Sequence, residues 1–101
     1  MNIYLNTNTP LENLQDIAYH FSQLMLDREI IQNFVNGSQD AFKSVYDAYW
    51  NKVYGFTKLY LNSHQDREDV VQEVFVRLWN KRHLLDADRD LDGFLFILTK
   101  N

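Results

Sequence analysis

Cysteine is absent from this sequence, proline occurs once and glycine three times. Without cysteine, neither a disulfide framework nor a thiolate metal site can be built, which agrees with a reducing compartment. No apolar run approaches the roughly 18 residues that would suggest a membrane span. The opening stretch, MNIYLNTNTPLENL, lacks the basic and then apolar regions of a signal peptide, so a cytoplasmic protein is expected. Under that reading the triplet Asn36-Gly37-Ser38, an acceptor pattern for glycosylation in secreted chains, signifies only a turn. An excess of positive charge is also lacking. The formal net charge of −4 argues against a module that grips duplex nucleic acid unaided, because such binding rests on cationic contacts to phosphates. The charge is uneven, however: RLWNKR at 77–82 is basic and DADRDLD at 86–92 is mostly acidic. The three histidines, His20, His64 and His83, share no metal-ligand spacing, and no Ser/His/Asp set can be picked out. Neither an enzyme nor a bound cofactor is expected.

What the chain does have is apolar side chains at helical spacing. With 101 residues, 46% of them hydrophobic and 15% aromatic, one core can be buried. The scarcity of Pro and Gly, together with a period near 3.6, predicts an all-α compact bundle of four to five helices. Thr9 and Pro10 serve as N-cap and first helical residue of a helix to about Leu24, with Leu11, Leu14, Ile17, Ala18, Phe21 and Leu24 on one face. Asp27 is placed to cap a second helix, whose apolar side is Ile30, Ile31, Phe34 and Val35 and which Gly37 ends. Ser38 starts the longest helix, to about Leu61, with Phe42, Val45, Tyr46, Tyr49, Val53, Phe56 and Tyr60 as its core stripe. Ser63 and Asp66 have capping-box spacing and open a helix to about Arg82, and Asp90 caps a last apolar segment that runs into the chain end. That last helix carries no stop signal, so a longer parent protein is expected.

The helix around DREDVVQEVFVRLW, residues 66–79, carries two faces. Arg67, Val71, Val74, Phe75 and Leu78 form the side that buries. The opposite strip holds Asp69, Gln72, Glu73, Val76 and Asn80, a mixture of acid, amide and aliphatic groups. Its charge gradient, acidic first and basic last, suits the helix dipole but does not account for Gln72 and Val76 sharing one face. A rival constellation lies downstream. Asp88, Asp90, Asp92 and Gly93 spell the front half of an EF-hand calcium loop. The back half fails, since counting from Asp88 puts Phe96 at position nine and Thr99 where the bidentate carboxylate belongs.

The runs GSQDAFKSVYDAYWNKVYGF at 37–56, REDVVQEVFVRLW at 67–79 and FLFILTKN at 94–101 together resemble region 2 of the extracytoplasmic-function (ECF) sigma factors, over about residues 27–101. The most specific part is Glu68, Asp69, Val70, Val71, Gln72, Glu73, Val74 and Phe75, supported upstream by Gly37, Ala41 and Phe42. The resemblance implies a non-enzymatic transcription initiation factor. Asp69, Gln72, Glu73, Val76 and Asn80 would meet the β′ clamp helices of core RNA polymerase. It also implies that the following loop and helix capture the non-template strand of the −10 promoter element, with Leu85 at the base-pocket position, Asn101 as the base-contacting amide, and Trp79, Lys81, Arg82 and Lys100 along the strand path. Trp79 is equally placed to close the core, and Leu85 stands where an aromatic would stack. An anti-sigma factor is a candidate partner by the same resemblance. Residues 1–26 precede the usual family start and are expected to form an extra helix or extension, either a packing helix or a dimer contact, and by the same resemblance the last helix is expected to be truncated, with region 4 lying outside this sequence. The reading from a different class is a helical calcium-binding or protein-interaction module.

Overall fold

The computed structural model describes residues 10–86 and 90–101, and the side chains of residues 10–12, 23, 24 and 26 lie outside that description. Among the described residues four α-helices follow one another: α1, Pro10–Val35; α2, Gln39–Thr57; α3, His64–Asn80; and α4, Leu91–Lys100. One 3-10 turn, Arg82–Leu84, separates the last two. The all-α bundle expected from periodicity is therefore what forms. The proposed Thr9 cap, the Leu11 and Leu24 side chains and Asp88 fall outside the described residues.

Local chemistry sets the helix boundaries. Pro10 is the first helical residue of α1, where its missing N–H removes a donor that would have no partner anyway. The break anticipated at Asp27 does not occur, and α1 runs through it for 26 residues. An aspartate is only mildly unfavourable inside a helix, and neither Gly nor Pro stands between Leu11 and Asn36 to interrupt the hydrogen-bond ladder. Termination comes at Gly37, whose φ of 100° lies in the left-handed region. Gly37 N–H donates to Phe34 O at 2.9 Å and Ser38 N–H to Asn33 O at 2.9 Å, the paired bonds of a Schellman stop. Ser38 then turns the chain, its Oγ accepting from Ala41 N at 3.1 Å to cap α2.

The α2 stripe is shorter than its period suggested. After Thr57 the bonds tighten to the i→i−3 type, Lys58 N to Gly55 O and Tyr60 N to Thr57 O, so the chain twists away and Tyr60 is left exposed. Ser63 Oγ accepts from Asp66 N at 3.3 Å to open α3. That helix stops at Asn80, two residues before the expected end, because Lys81 takes a non-helical conformation and the 3-10 turn begins. Leu85 N–H donates to Arg82 O, which brings the Leu85 side chain back into the core. Asp90 caps α4, its carboxylate accepting from Asp92 N at 3.0 Å.

The core lies where α2, α3 and α4 meet, closed at one end by the last turns of α1. Phe34, Val53, Val71, Val74, Leu78 and Leu95 are fully enclosed there. Each contributes on the order of 1.5–3 kcal/mol by leaving water. The buried hydroxyls of Thr57 and Thr99 each donate back to a carbonyl of their own helix, Tyr54 O at 2.6 Å and Leu95 O at 2.8 Å, so neither is orphaned. Over the α1 end of the core sits an aromatic cluster: Phe42 lies 5.5 Å from Phe34 and 5.3 Å from Trp79, ring centre to ring centre.

Candidate functional site

Helix α3 separates its residues as the sequence pattern requires. Val71, Val74, Phe75 and Leu78 are buried, and Arg67 is half-buried with its Nε donating to Leu61 O at 3.0 Å. The opposite strip faces outward: Asp69, Gln72, Glu73, Val76 and Asn80 are all exposed. Val76 retains 59% of its surface, an aliphatic group that the fold itself leaves uncovered. The two flanking acids are held in place from the same helix. Gln65 Nε2 donates to Asp69 at 2.9 Å, and Arg77 donates to Glu73 at 2.6 Å. These i,i+4 ties stabilise the exposed turns by a few tenths of a kcal/mol each and fix where the carboxylates point.

Beside this strip, α2 and α3 enclose an open groove of about 410 Å³ lined by Phe42, Tyr46, Gln72, Phe75, Val76 and Trp79. Phe42 and Tyr46, assigned from the sequence to the core stripe of α2, are half-buried and form the far wall of that groove. The pattern hid this because periodicity identifies which side of a helix is apolar, not how deeply it is covered. The outcome is a polar strip with an aliphatic centre bordering an aromatic trough. Such a face can accept the apolar side chains of a partner helix while its rim makes hydrogen bonds.

The residues assigned to nucleic acid divide into two sets. At the end of α3, the Arg82 guanidinium carbon lies 4.1 Å over the Trp79 ring centre, and Arg82 donates to Trp79 O at 2.9 Å. Trp79 packs in turn on Phe34 and Phe42, so much of its ring is engaged by the fold. Leu85 is 4% exposed and belongs to the core, whereas Lys81 is exposed. At the end of α4, Lys100 and Asn101 are exposed and share a shallow pocket with Thr57, Tyr60, Glu73 and Arg77. Arg77 was read from sequence only as a charge suited to the helix terminus. It has a second contact, donating to Leu98 O at 3.1 Å, which ties the α3 strip to the last turn of α4.

The start of α4 is tied to α2 by charge. Lys52 Nζ donates to Asp92 at 2.8 Å, and that hydrogen bond and the attraction of the carboxylate hold the Lys52 pKa above its ordinary value. Burial, and then the nearby Asp92 charge, push the Tyr49 phenol up as well. Of the EF-hand-like run, Asp90 serves as a helix cap and Asp92 as the partner of Lys52. Among the described residues no group of three or more His, Cys, Asp or Glu side chains converges as a metal site. Among the same residues, no helix is long and apolar enough to cross a membrane.

Residues 45–101 match the family model for sigma-70 region 2, which covers most of α2 and everything after it. The chain belongs to the sigma-70 region 2 family. A curated relative, the ECF RNA polymerase sigma factor SigW of Bacillus subtilis (strain 168), is 29% identical over 77 residues, which is 76% of this chain and 41% of SigW. The chain thus spans about two-fifths of the length of that relative. No solved structure matches. The resemblance to region 2 of ECF sigma factors is borne out. In the region 2 domain, the acidic and amide motif around Gln72 occupies the outward face of α3 and the aliphatics within it point to the core.

Proposed function

We propose that this region 2 domain is the core-binding and promoter-opening part of an ECF sigma factor, a non-enzymatic initiation factor of transcription. In this reading the outward strip of α3 docks on the β′ clamp helices of RNA polymerase. Asp69, Gln72, Glu73 and Asn80 form the polar rim around Val76. The observation that carries the reading is the uncovered Val76 at the centre of that strip, next to the Phe42 and Tyr46 trough. An aliphatic group exposed among hydrogen-bonding side chains suits an interface where a few desolvated residues carry most of the energy.

The same domain then engages the non-template strand of the −10 element through the loop after α3 and the end of α4. Lys81, Lys100 and Asn101 are the exposed groups that would meet the strand. Trp79, Arg82 and Leu85 support that surface from beneath, each being at least partly buried. Cationic side chains would follow the backbone while pockets accept unstacked bases. The acidic total charge is compatible with this role, because a domain held on polymerase does not have to attract duplex DNA alone.

The deciding experiment is fluorescence anisotropy of the labelled chain titrated with purified β′ clamp helices at two salt concentrations. Saturable binding, lost in the Asp69→Ala/Gln72→Ala double variant while helicity by circular dichroism is unchanged, is the expected result. Absence of binding by a chain shown to be folded would overturn the docking assignment.

A further inference from the structure

The two carboxylates on the outward strip of α3 are held by unlike groups. Asp69 accepts from the side-chain amide of Gln65 at 2.9 Å, a neutral donor that leaves its charge whole. Glu73 accepts from the Arg77 guanidinium at 2.6 Å and is thereby paired with a positive charge on its own helix. Arg77 is in use on both sides: Nη2 meets Glu73, and Nη1 donates to Leu98 O on α4 at 3.1 Å. A planar guanidinium offers its donors in fixed directions, so both contacts are made at once. Arg77 is half-buried, whereas Asp69 and Glu73 are exposed. Among the described residues no cationic side chain forms an ion pair with Asp69.

We propose that Arg77 is a positioning residue of this face: it neutralises Glu73 and aims it as a hydrogen-bond acceptor, leaving Asp69 as the carboxylate that receives a cationic side chain of the partner helix. The proposal rests on the docking reading above and names the partner chemistry which that reading leaves open. Together Asp69, Glu73 and Arg77 carry one net negative charge, and it resides at Asp69, toward the start of α3. A partner cation set opposite Asp69 is simply attracted, whereas one set opposite Glu73 also meets the Arg77 charge a hydrogen bond away. Because a carbonyl of another helix anchors Arg77, its hold on Glu73 is already in place and requires no further ordering when the partner arrives. The strip thereby fixes one register along α3, with the partner's cation beside Asp69 and a neutral donor beside Glu73.

Clamp-helix binding followed by anisotropy over a range of salt concentrations separates charge from shape, since a carboxylate that meets a partner cation contributes to the salt dependence. Asp69→Asn should weaken binding by about fivefold at low salt, the size of one exposed ion pair, and flatten its salt dependence. Glu73→Gln, which keeps an acceptor in place, should change affinity by less than about twofold and leave the salt dependence as in the parent. Arg77→Met should steepen it by uncovering the Glu73 charge, and Arg77→Lys should return it to that of the parent. Urea unfolding of each variant establishes that the fold is kept, and the exposed Glu73→Gln pair member tests the assignment even where Arg77→Met does not fold. Equal flattening by Asp69→Asn and Glu73→Gln would overturn the proposal, as would an unchanged salt dependence in a folded Arg77→Met. A folded parent that does not bind at all strikes the docking reading itself and the proposal with it.

Discussion

Two stretches of α1 with similar apolar content meet opposite fates. From Ile30 to Val35 the helix lies on α2 and its Phe34 is wholly enclosed, while from Leu14 to Phe21 equally large side chains stand in water. The difference is not in the helix, which is continuous, but in what the rest of the chain supplies opposite it. Helix α3 adds a third case, an outward face that is polar except for Val76. An apolar stripe reports that a face is able to be covered. It does not report by what, and a mainly polar strip is no sign that a face stays bare.

The strongest way to break this contrast is truncation on both halves of α1. Phe34→Ala should cost about 3–5 kcal/mol in urea unfolding, as expected for emptying a filled core site. Phe21→Ala, measured at dilute concentration, should fall within about 0.5 kcal/mol of the parent. Comparable costs would mean that the first half of α1 is covered in solution and that the contrast is wrong.

On α3, Val76→Asp should leave the urea midpoint unchanged, because the side chain is outside the core, yet weaken clamp-helix binding by about tenfold or more, roughly 1.4 kcal/mol. A loss of stability instead would move Val76 from the docking face to the fold. Two glycines sharpen the same distinction between covered and bare backbone. Gly37→Ala should destabilise by about 1–2 kcal/mol, since its positive φ disfavours any Cβ. Gly55→Ala sits in an α2 turn where an added Cβ meets nothing within 4 Å, and it should stabilise by about 0.5–1 kcal/mol, both read from thermal or urea unfolding.

The smallest effect concerns pH. Tyr49 and Lys52 both have folded-state pKa values above their ordinary ones. Their contribution is therefore fully present below the ordinary tyrosine and lysine values and is lost as pH rises through the folded ones. Stability at neutral pH should not respond to them. In Asp92→Asn, the phenolate absorbance of Tyr49 should appear at lower pH than in the parent, but still above that of exposed tyrosines because burial persists. An unmoved titration would remove Asp92 from the environment of Tyr49.

Helix starts were legible because a cap is a local bond. Ser38, Ser63 and Asp90 each accept from a backbone N–H two or three residues on, whatever surrounds them. Ends were less so. The stop at Thr57 depends on a tightening of the ladder, and the stop at Asn80 on how Leu85 is drawn back into the core, which no short window displays. The outward strip of α3 could be separated from the buried one by angle alone, and its place in the sigma-70 region 2 family by its motif. The trough beside it could not, because Phe42 and Tyr46 look the same in sequence whether wholly or half enclosed. Nor could Trp79, Arg82 and Leu85 be recognised as parts of one packed corner.

That corner has a bearing on how fast the domain comes apart. Successive helices pack on each other, α1 on α2, α2 on α3 and α3 on α4, so most closures are short and the ascent to the folding barrier should be quick. The Arg82 guanidinium over Trp79, reaching toward Gly37, joins opposite halves of the chain and is suited to closing last. An interaction absent from the barrier slows only the way out. Arg82→Ala should accordingly speed unfolding in stopped-flow experiments and leave the refolding rate nearly as it was, making this corner a latch on the lifetime of the fold rather than a guide to its formation.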